Sequence, residues 1–402
     1  MARPLSTRFA VGALEASAVL SFREEHELGR PPELSIVALF GRDIDPGELL
    51  GKPARLGYAA GGGPEQAFAG VVGEVEVVGQ PRHDTPVFRY EFRIVTPLGL
   101  LAQNVETRIF QGQDVKAVVT AVLGAGGVSP SALRWRLSAA YAPYVYKVQY
   151  QESDLAFISR LLEREGIFFF VEPDADEGLA YVFADDGAAA EPIEGGELRW
   201  ADLSALQGDD DAIEGASDEH RLAVASVALG DVDFERPDLD LSAHAAAGSD
   251  GPLEWYEHPG AYREPDEGKR LANVRLQALR GPSHRVAVEA DAPRLRAGRK
   301  VTLVDGPAGL DGTYLVVAVE HTLAEAPEAS GRRYRTRATL QPESLPFRTP
   351  QRTPRPIIDG PQTAVVVAPR GSPPESIHTD ELGRCKVKFA WDTGPDLDDK
   401  AS

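Results

Sequence analysis

A mainly β fold with a mixed helix–strand segment ahead of its middle is what this sequence predicts, and three observations predict it. Period-2 alternation of apolar and polar residues dominates the chain. Only two segments carry a strong helical stripe. Turn-forming residues punctuate the stretches between them.

The strands come first. Val71–Val78 has apolar residues on both faces around Glu74 and Glu76, and Phe88–Val95 alternates Phe88, Tyr90, Phe92 and Ile94 with Arg89, Glu91 and Arg93. Tyr144–Tyr150 and Arg285–Ala290 alternate as well, and Tyr314–His321 is a near-continuous β-branched run. These patterns predict strands of barrels or sandwiches. The first helix is expected over Asp114–Leu123, with Val115, Val118, Val119 and Val122 on one face, Asp114 as cap and Gly124 as stop. The second is expected over Ser153–Glu165, capped by Ser153, favoured at its positive end by Asp154, and stopped by Gly166. A buried strand, Ile167–Val171, follows it, and a weaker helix is expected over Asp266–Ala278. Gly61–Pro64, Asp174–Gly178, Gly208–His220 and Ser242–Pro252 read as turns or loops, the last two small and acidic. Gln341–Pro361 is rich in proline and lacks periodicity, which predicts a stiff extended connector. Short strands at Ala364–Ala368 and Cys385–Trp391 lie beyond it.

The chain has 402 residues, 43% of them hydrophobic and 26% charged, enough to bury a sizeable core in two to four domains. Its 62 acidic residues against 42 basic give a net charge of -20. That balance disfavours nucleic acid or an anionic membrane as main partner, because both repel a negative surface. A lone cysteine, Cys385, rules out an internal disulfide and reads as a small buried hydrophobe on its strand. The start of the chain has no signal-peptide pattern, and no run approaches the roughly 20 apolar residues of a membrane span. Synthesis in the cytoplasm, with no stable membrane insertion, is the expectation.

The search for chemistry returns little. Eight histidines stand at no ligand-like spacing and there is no cysteine pair, so isolated surface or turn histidines are expected, with no metal site. Gly124-Ala125-Gly126-Gly127 follows a helix rather than a strand, and Gly51-Lys52 is followed by Pro53, so neither is a phosphate loop. Gly127-Val128-Ser129-Pro130-Ser131 has serine where a nucleophile elbow needs glycine. Asp185-Asp186, after the strand Leu179–Phe183, could supply an acid or base but reads as a polar turn, and Asp209–Asp211 reads as a solvated acidic loop. Phe168–Phe170 and Trp255–Tyr262 read as core packing and a tight loop around Pro259-Gly260. No catalytic or cofactor-binding residue emerges, and the chain reads as not an enzyme. Arg333, Arg335 and Arg337 share one strand face. They read as a candidate interface stripe for an acidic neighbour, in another subunit or a docked tube protein, or as the solvated outside of a barrel.

Several stretches resemble the VgrG family. Tyr146–Ile167 carries Gln149, Glu152-Ser153-Asp154, Arg160, Glu163 and Glu165-Gly166 in the order of that family's signature. Arg108-Ile109-Phe110-Gln111, Trp255–Gly260, Phe347–Pro350 and Ile358–Val366 resemble its other elements. Asp380–Asp392 carries Gly383-Arg384, Trp391-Asp392 and Cys385 where valine is usual. The resemblance implies a tail-hub-like domain over residues 1–345: a first barrel-like β subdomain near 1–100, an α+β insertion near 101–200 and a second barrel near 201–345. A linker, 346–363, and the start of an OB-fold spike barrel, 364–402, would follow. It further implies a structural homotrimer in a type VI secretion apparatus. That trimer would match a sixfold tube protein of Hcp type to a threefold spike, alongside baseplate components. A PAAR tip protein and effectors would join where further C-terminal sequence is present, and export would need no signal peptide. The hub of a phage-derived contractile system, and a hub carrying an enzyme in a C-terminal extension, are the alternatives.

Overall fold

Strand Gly312–Glu325 is 14 residues long and serves two β lobes at once, one of them a closed barrel. Its β-branched run suits a segment covered on both faces. Along its length it pairs with Arg332–Pro342; its start also pairs with Lys300–Val304, and its later half with Ala18–Glu27. A computed structural model of the chain describes residues 5–61, 63–78, 88–174, 178–200, 211–248, 251–307, 309–325, 332–369, 371–373 and 375–392. His83, Asp209, Asp210 and the expected barrel sequence at 393–402 lie outside the described residues.

Six strands close one barrel: Lys300–Val304, Pro192–Trp200, Ala212–His220, His284–Ala290, Arg332–Pro342 and Gly312–Glu325, the last pairing back to the first. Closure removes exposed edges. The same sheet continues from Gly312–Glu325 through Ala18–Glu27, Glu33–Phe40, Phe88–Val95, Gln66–Val77, Pro53–Ala60 and Leu5–Val11. Phe22 and Tyr58 stand far apart in that strand order, yet their rings meet at 5.1 Å, so this half curls around its own core.

The insertion lies between the lobes in sequence. Helix Val115–Ala125 buries Val115, Val118, Val119 and Val122, the stripe expected of it, and its cap is Asp114. It ends at Gly126, two residues past the expected stop. Helix Asp154–Glu165 packs beside it, and both lie over Phe168–Asp174 and Gly178–Ala184 in one core. Strands Val105–Phe110 and Lys147–Ser153 form a separate antiparallel pair. Strand Pro192–Trp200, at the end of the insertion that the family resemblance implies near 101–200, pairs with Lys300–Val304 and belongs to the closed barrel.

Other departures have physical reasons. Gly208–His220, expected to be a loop, contains strand Ala212–His220. Its outward acids hide the pattern, while Ile213 faces the barrel core and the ladder to His284–Ala290 fixes the register. Ser242–Pro252 contains strand Ala243–Ala246, whose small residues let helix Pro265–Arg280 pack closely. That strand, Ser226–Leu229 and Glu254–Glu257 form a three-stranded satellite sheet under the helix. Trp255 and Tyr256, expected in a core, are 39% and 68% exposed there, while Tyr262 is buried. Cys385, expected to be buried, is exposed. Strand Val387–Phe389 pairs with Ala364–Val366, but among the described residues no facing sheet covers the position.

Candidate interaction surfaces and the signature network

The signature segment is a set of buried joints. Asp154 is fully buried, and its carboxylate takes Asn104 Nδ2 at 2.6 Å, Gln149 Nε2 at 2.8 Å and the Arg108 guanidinium. Arg108 Nε also donates to Gln149 Oε1 at 3.0 Å. Asp154 therefore does more than favour the helix dipole: it locks helix Asp154–Glu165 to the strand pair beneath it. A buried carboxylate is tolerable only with such charge-assisted partners. Ser153 Oγ caps the helix by accepting from Ala156 N at 3.1 Å. Arg160 grips Glu152 with two hydrogen bonds of 2.8 and 2.6 Å and donates to Val148 O. Glu165 accepts from Tyr144 OH at 2.8 Å and from Arg270 of the satellite helix. Gly166 ends the helix at φ +76°, and a Cβ there would meet Val274 Cγ1 at 2.6 Å, so only glycine fits.

Glu163 reaches the expected linker. It accepts from the backbone N–H groups of Arg352 and Thr353, both at 2.9 Å, and from the Thr353 hydroxyl at 2.7 Å. Phe347 and Thr349 are also buried. The connector is thus pinned to the hub over its first half. Farther on, Ile357 is 79% exposed. Gly383 turns at φ +74°, Arg384 pairs with Asp380 and Glu235, and Asp392 N donates to Phe389 O. Trp391 stacks on Phe389 at 4.9 Å and meets the edge of Tyr150 at 5.7 Å, which brings the terminal ladder against the signature strand.

Arg333, Arg335 and Arg337 do share one outer face. Their acidic neighbours lie in the same chain: Glu214 for Arg333, and Glu289 for Arg335 at 3.6 Å and Arg337 at 2.9 Å. A groove of about 780 Å³ passes this stripe where the two lobes meet, lined among others by Glu25, Arg30, Glu33, Glu289, Glu320 and Arg337.

Sequence spacing also missed two clusters. Asp185, in the polar turn after its strand, is 1% exposed, accepting from Ser138 N and OH, Ala139 N and Tyr141 OH at 2.8–3.0 Å. Burial opposes its charge, yet these donors outweigh burial and hold the carboxyl below its usual range. The second cluster plugs the first lobe. Glu24 and His321 are 1% and 2% exposed, and Glu24 bonds His26 at 2.6 Å. His321 Nε2 faces Leu295 O at 3.1 Å, so it carries the proton, and Nδ1 accepts from Tyr334 OH at 2.7 Å. Burial pushes His321 down to about 4. Glu24 also pays a burial penalty, but His26, His321 and Arg296 bring it to about 2. The histidines are not isolated either: His220 and His284 stack at 4.1 Å beside Asp218. Apart from His26 with Glu24 and His220 with Asp218, each two residues apart, these partners are distant in sequence, so spacing alone could not assemble the clusters.

A closed barrel and a curled β lobe that share a strand, with an α/β insertion, place the chain in the class of tail-hub proteins. A family profile described as phage tail baseplate hub (GPD) matches residues 25–327, and the chain belongs to that family. The type VI secretion system spike protein VgrG1b of Pseudomonas aeruginosa is 30% identical over 379 residues, which cover 91% of this chain and 50% of that protein. The chain thus spans about half the length of the curated relatives it matches. Among solved structures, the E. coli c3393 protein, a type VI secretion component, superposes with a TM-score of 0.72 at 19% identity, covering 95% of this chain and 88% of that one. A tail protein from Neisseria meningitidis gives 0.63 at 14% identity, covering 87% and 99%. At these identities the likeness is one of fold.

Proposed function

We propose that this chain is the hub portion of a type VI secretion spike, a structural adaptor rather than an enzyme, working as a homotrimer. The observation that carries the reading is the pair of barrel lobes sharing strand Gly312–Glu325. Three copies present six such lobes in a ring. Six lobes match the symmetry of a sixfold tube below, and the three copies match a threefold spike above. The linker pinned by Glu163 then directs each chain toward the axis, where force passes from tube to spike. Tube protein of Hcp type, baseplate components and, through further sequence, a PAAR tip and effectors are the partners of this reading. Synthesis in the cytoplasm and delivery through the contractile apparatus complete it. No helix among the described residues is long and apolar enough to cross a membrane.

Light scattering coupled to size-exclusion chromatography tests the proposal. The expected mass is three times the 43.3 kDa chain. A monomer at every accessible concentration would remove the claim that the hub ring assembles through these lobes.

A further inference from the structure

We infer that Asp218, His220 and His284 form a transition-metal site, of Zn²⁺ type, at the rim of the closed barrel. His220 ends strand Ala212–His220 and His284 begins strand His284–Ala290, and the two are register partners. The neighbouring pair is hydrogen-bonded, Arg221 N donating to Ser283 O at 2.7 Å. Hydrogen-bonded and non-hydrogen-bonded pairs alternate, so the histidine pair is the non-hydrogen-bonded kind, in which side chains approach most closely. Asp218 stands two residues from His220, on the same face, opposite the buried Val286. All three side chains therefore point to the inner side of the ladder at its open end.

The geometry suits a small divalent ion. His220 Nε2 lies 3.1 Å from Asp218 Oδ2, and His284 Nε2 lies 2.8 Å from Asp218 Oδ1. One ligand atom from each residue falls within 4.8 Å of the others. Bonds of about 2.0–2.1 Å in a tetrahedron place ligand atoms roughly 3.3 Å apart, so small rotations suffice. Two imidazole nitrogens and one carboxylate oxygen favour Zn²⁺, Cu²⁺ or Ni²⁺ over Ca²⁺ or Mg²⁺, which demand more oxygen ligands. Three protein ligands leave a position for water. In the ion's absence the aspartate accepts from both Nε2–H groups. Metal takes those nitrogens' lone pairs, and each proton moves to Nδ1 through solvent.

Position gives the site its role. Between His220 and His284 the chain leaves the barrel, builds the satellite sheet and returns through helix Pro265–Arg280. The metal bridges the exit and re-entry of that excursion. A clip that closes a long loop removes chain entropy from the open state. It fixes how the satellite, with exposed Phe234, Trp255 and Tyr256, stands on the barrel.

The test is titration of the chelator-stripped full chain with Zn²⁺ by isothermal calorimetry. Amide hydrogen exchange at residues 219–221 and 283–286 provides a second readout. We expect one saturable equivalent and slower exchange at those amides. His220→Ala and Asp218→Asn should each weaken binding at least about tenfold, while His244→Ala, elsewhere on the satellite, should leave it unchanged. His220 is 67% exposed, so its variant folds as the parent does, which circular dichroism checks. No saturable equivalent in the parent chain, or one that survives both substitutions, would overturn the site.

Discussion

The two lobes share a strand and a strand architecture, yet their cores differ in chemistry. The first is filled by rings: Phe9, Phe22, Phe40, Tyr58, Phe68, Tyr90 and Phe92. The closed barrel is filled mainly by aliphatic residues such as Val286, Val288, Leu303 and Val316. Strand Gly312–Glu325 serves both, giving Val316 and Val319 to the barrel and Leu323 to the first lobe. The aromatic lobe also holds the Glu24–His26–His321–Tyr334 plug, which has no counterpart among the described residues of the barrel core. Wide rings fill a lobe whose ends, among the described residues, are not joined by hydrogen bonds. The closed six-stranded barrel is filled mostly by branched aliphatics, with Phe168, Phe170, Tyr314 and Phe347 packed into the same core. The consequence is that acid reaches the core of the first lobe through the buried Glu24 and His321.

Cavity substitutions break this comparison most forcefully. Phe92→Ala should cost about 3–5 kcal/mol, because a packed ring leaves a void that its neighbours only partly fill. Leu303→Ala in the barrel should cost about 2–5 kcal/mol. Chemical denaturation of each variant reads the difference. Two separate transitions would appear if the lobes unfold independently despite their shared strand.

Acid should act through the plug. The folded-state value of His321 is lowered from 6.5 to about 4, so the unfolded chain binds its proton first. Its contribution is complete above pH 6.5 and is lost as pH falls toward 4. Glu24, lowered from 4.5 to about 2, adds a loss between those values. Thermal midpoints should therefore fall from pH 6.5 downward, and His321→Gln should flatten the upper part of that fall. An unchanged slope in the variant would assign the effect to other groups.

Glu163→Ala should remove three hydrogen bonds to residues 352–353, each worth about 0.5–1.5 kcal/mol. Faster cleavage there by trypsin, with Arg352 as the site, checks the pinning of the linker. Arg337→Ala should be the mildest change, about 0–1 kcal/mol, since its pair with Glu289 is solvent-exposed. A larger effect on trimer mass than on monomer stability would assign the stripe to a subunit contact.

By itself the sequence determined the β-rich class, both insertion helices with their caps, and the buried Phe168–Phe170 strand, because periodicity and capping are local. Residue order alone also carried the family resemblance, whose Gln149, Glu152, Asp154 and Glu163 proved to be joints between elements. Only the tertiary structure decided what those joints hold. Arg108 reaches Asp154, Thr353 reaches Glu163 and Arg270 reaches Glu165 across gaps that no local pattern spans. It likewise turned two acidic stretches into strands, since a ladder partner outweighs weak intrinsic preference. The same pairing brought His220 to His284. Burial and cross-strand contact depend on where the chain returns to itself, and that return is set by the whole fold.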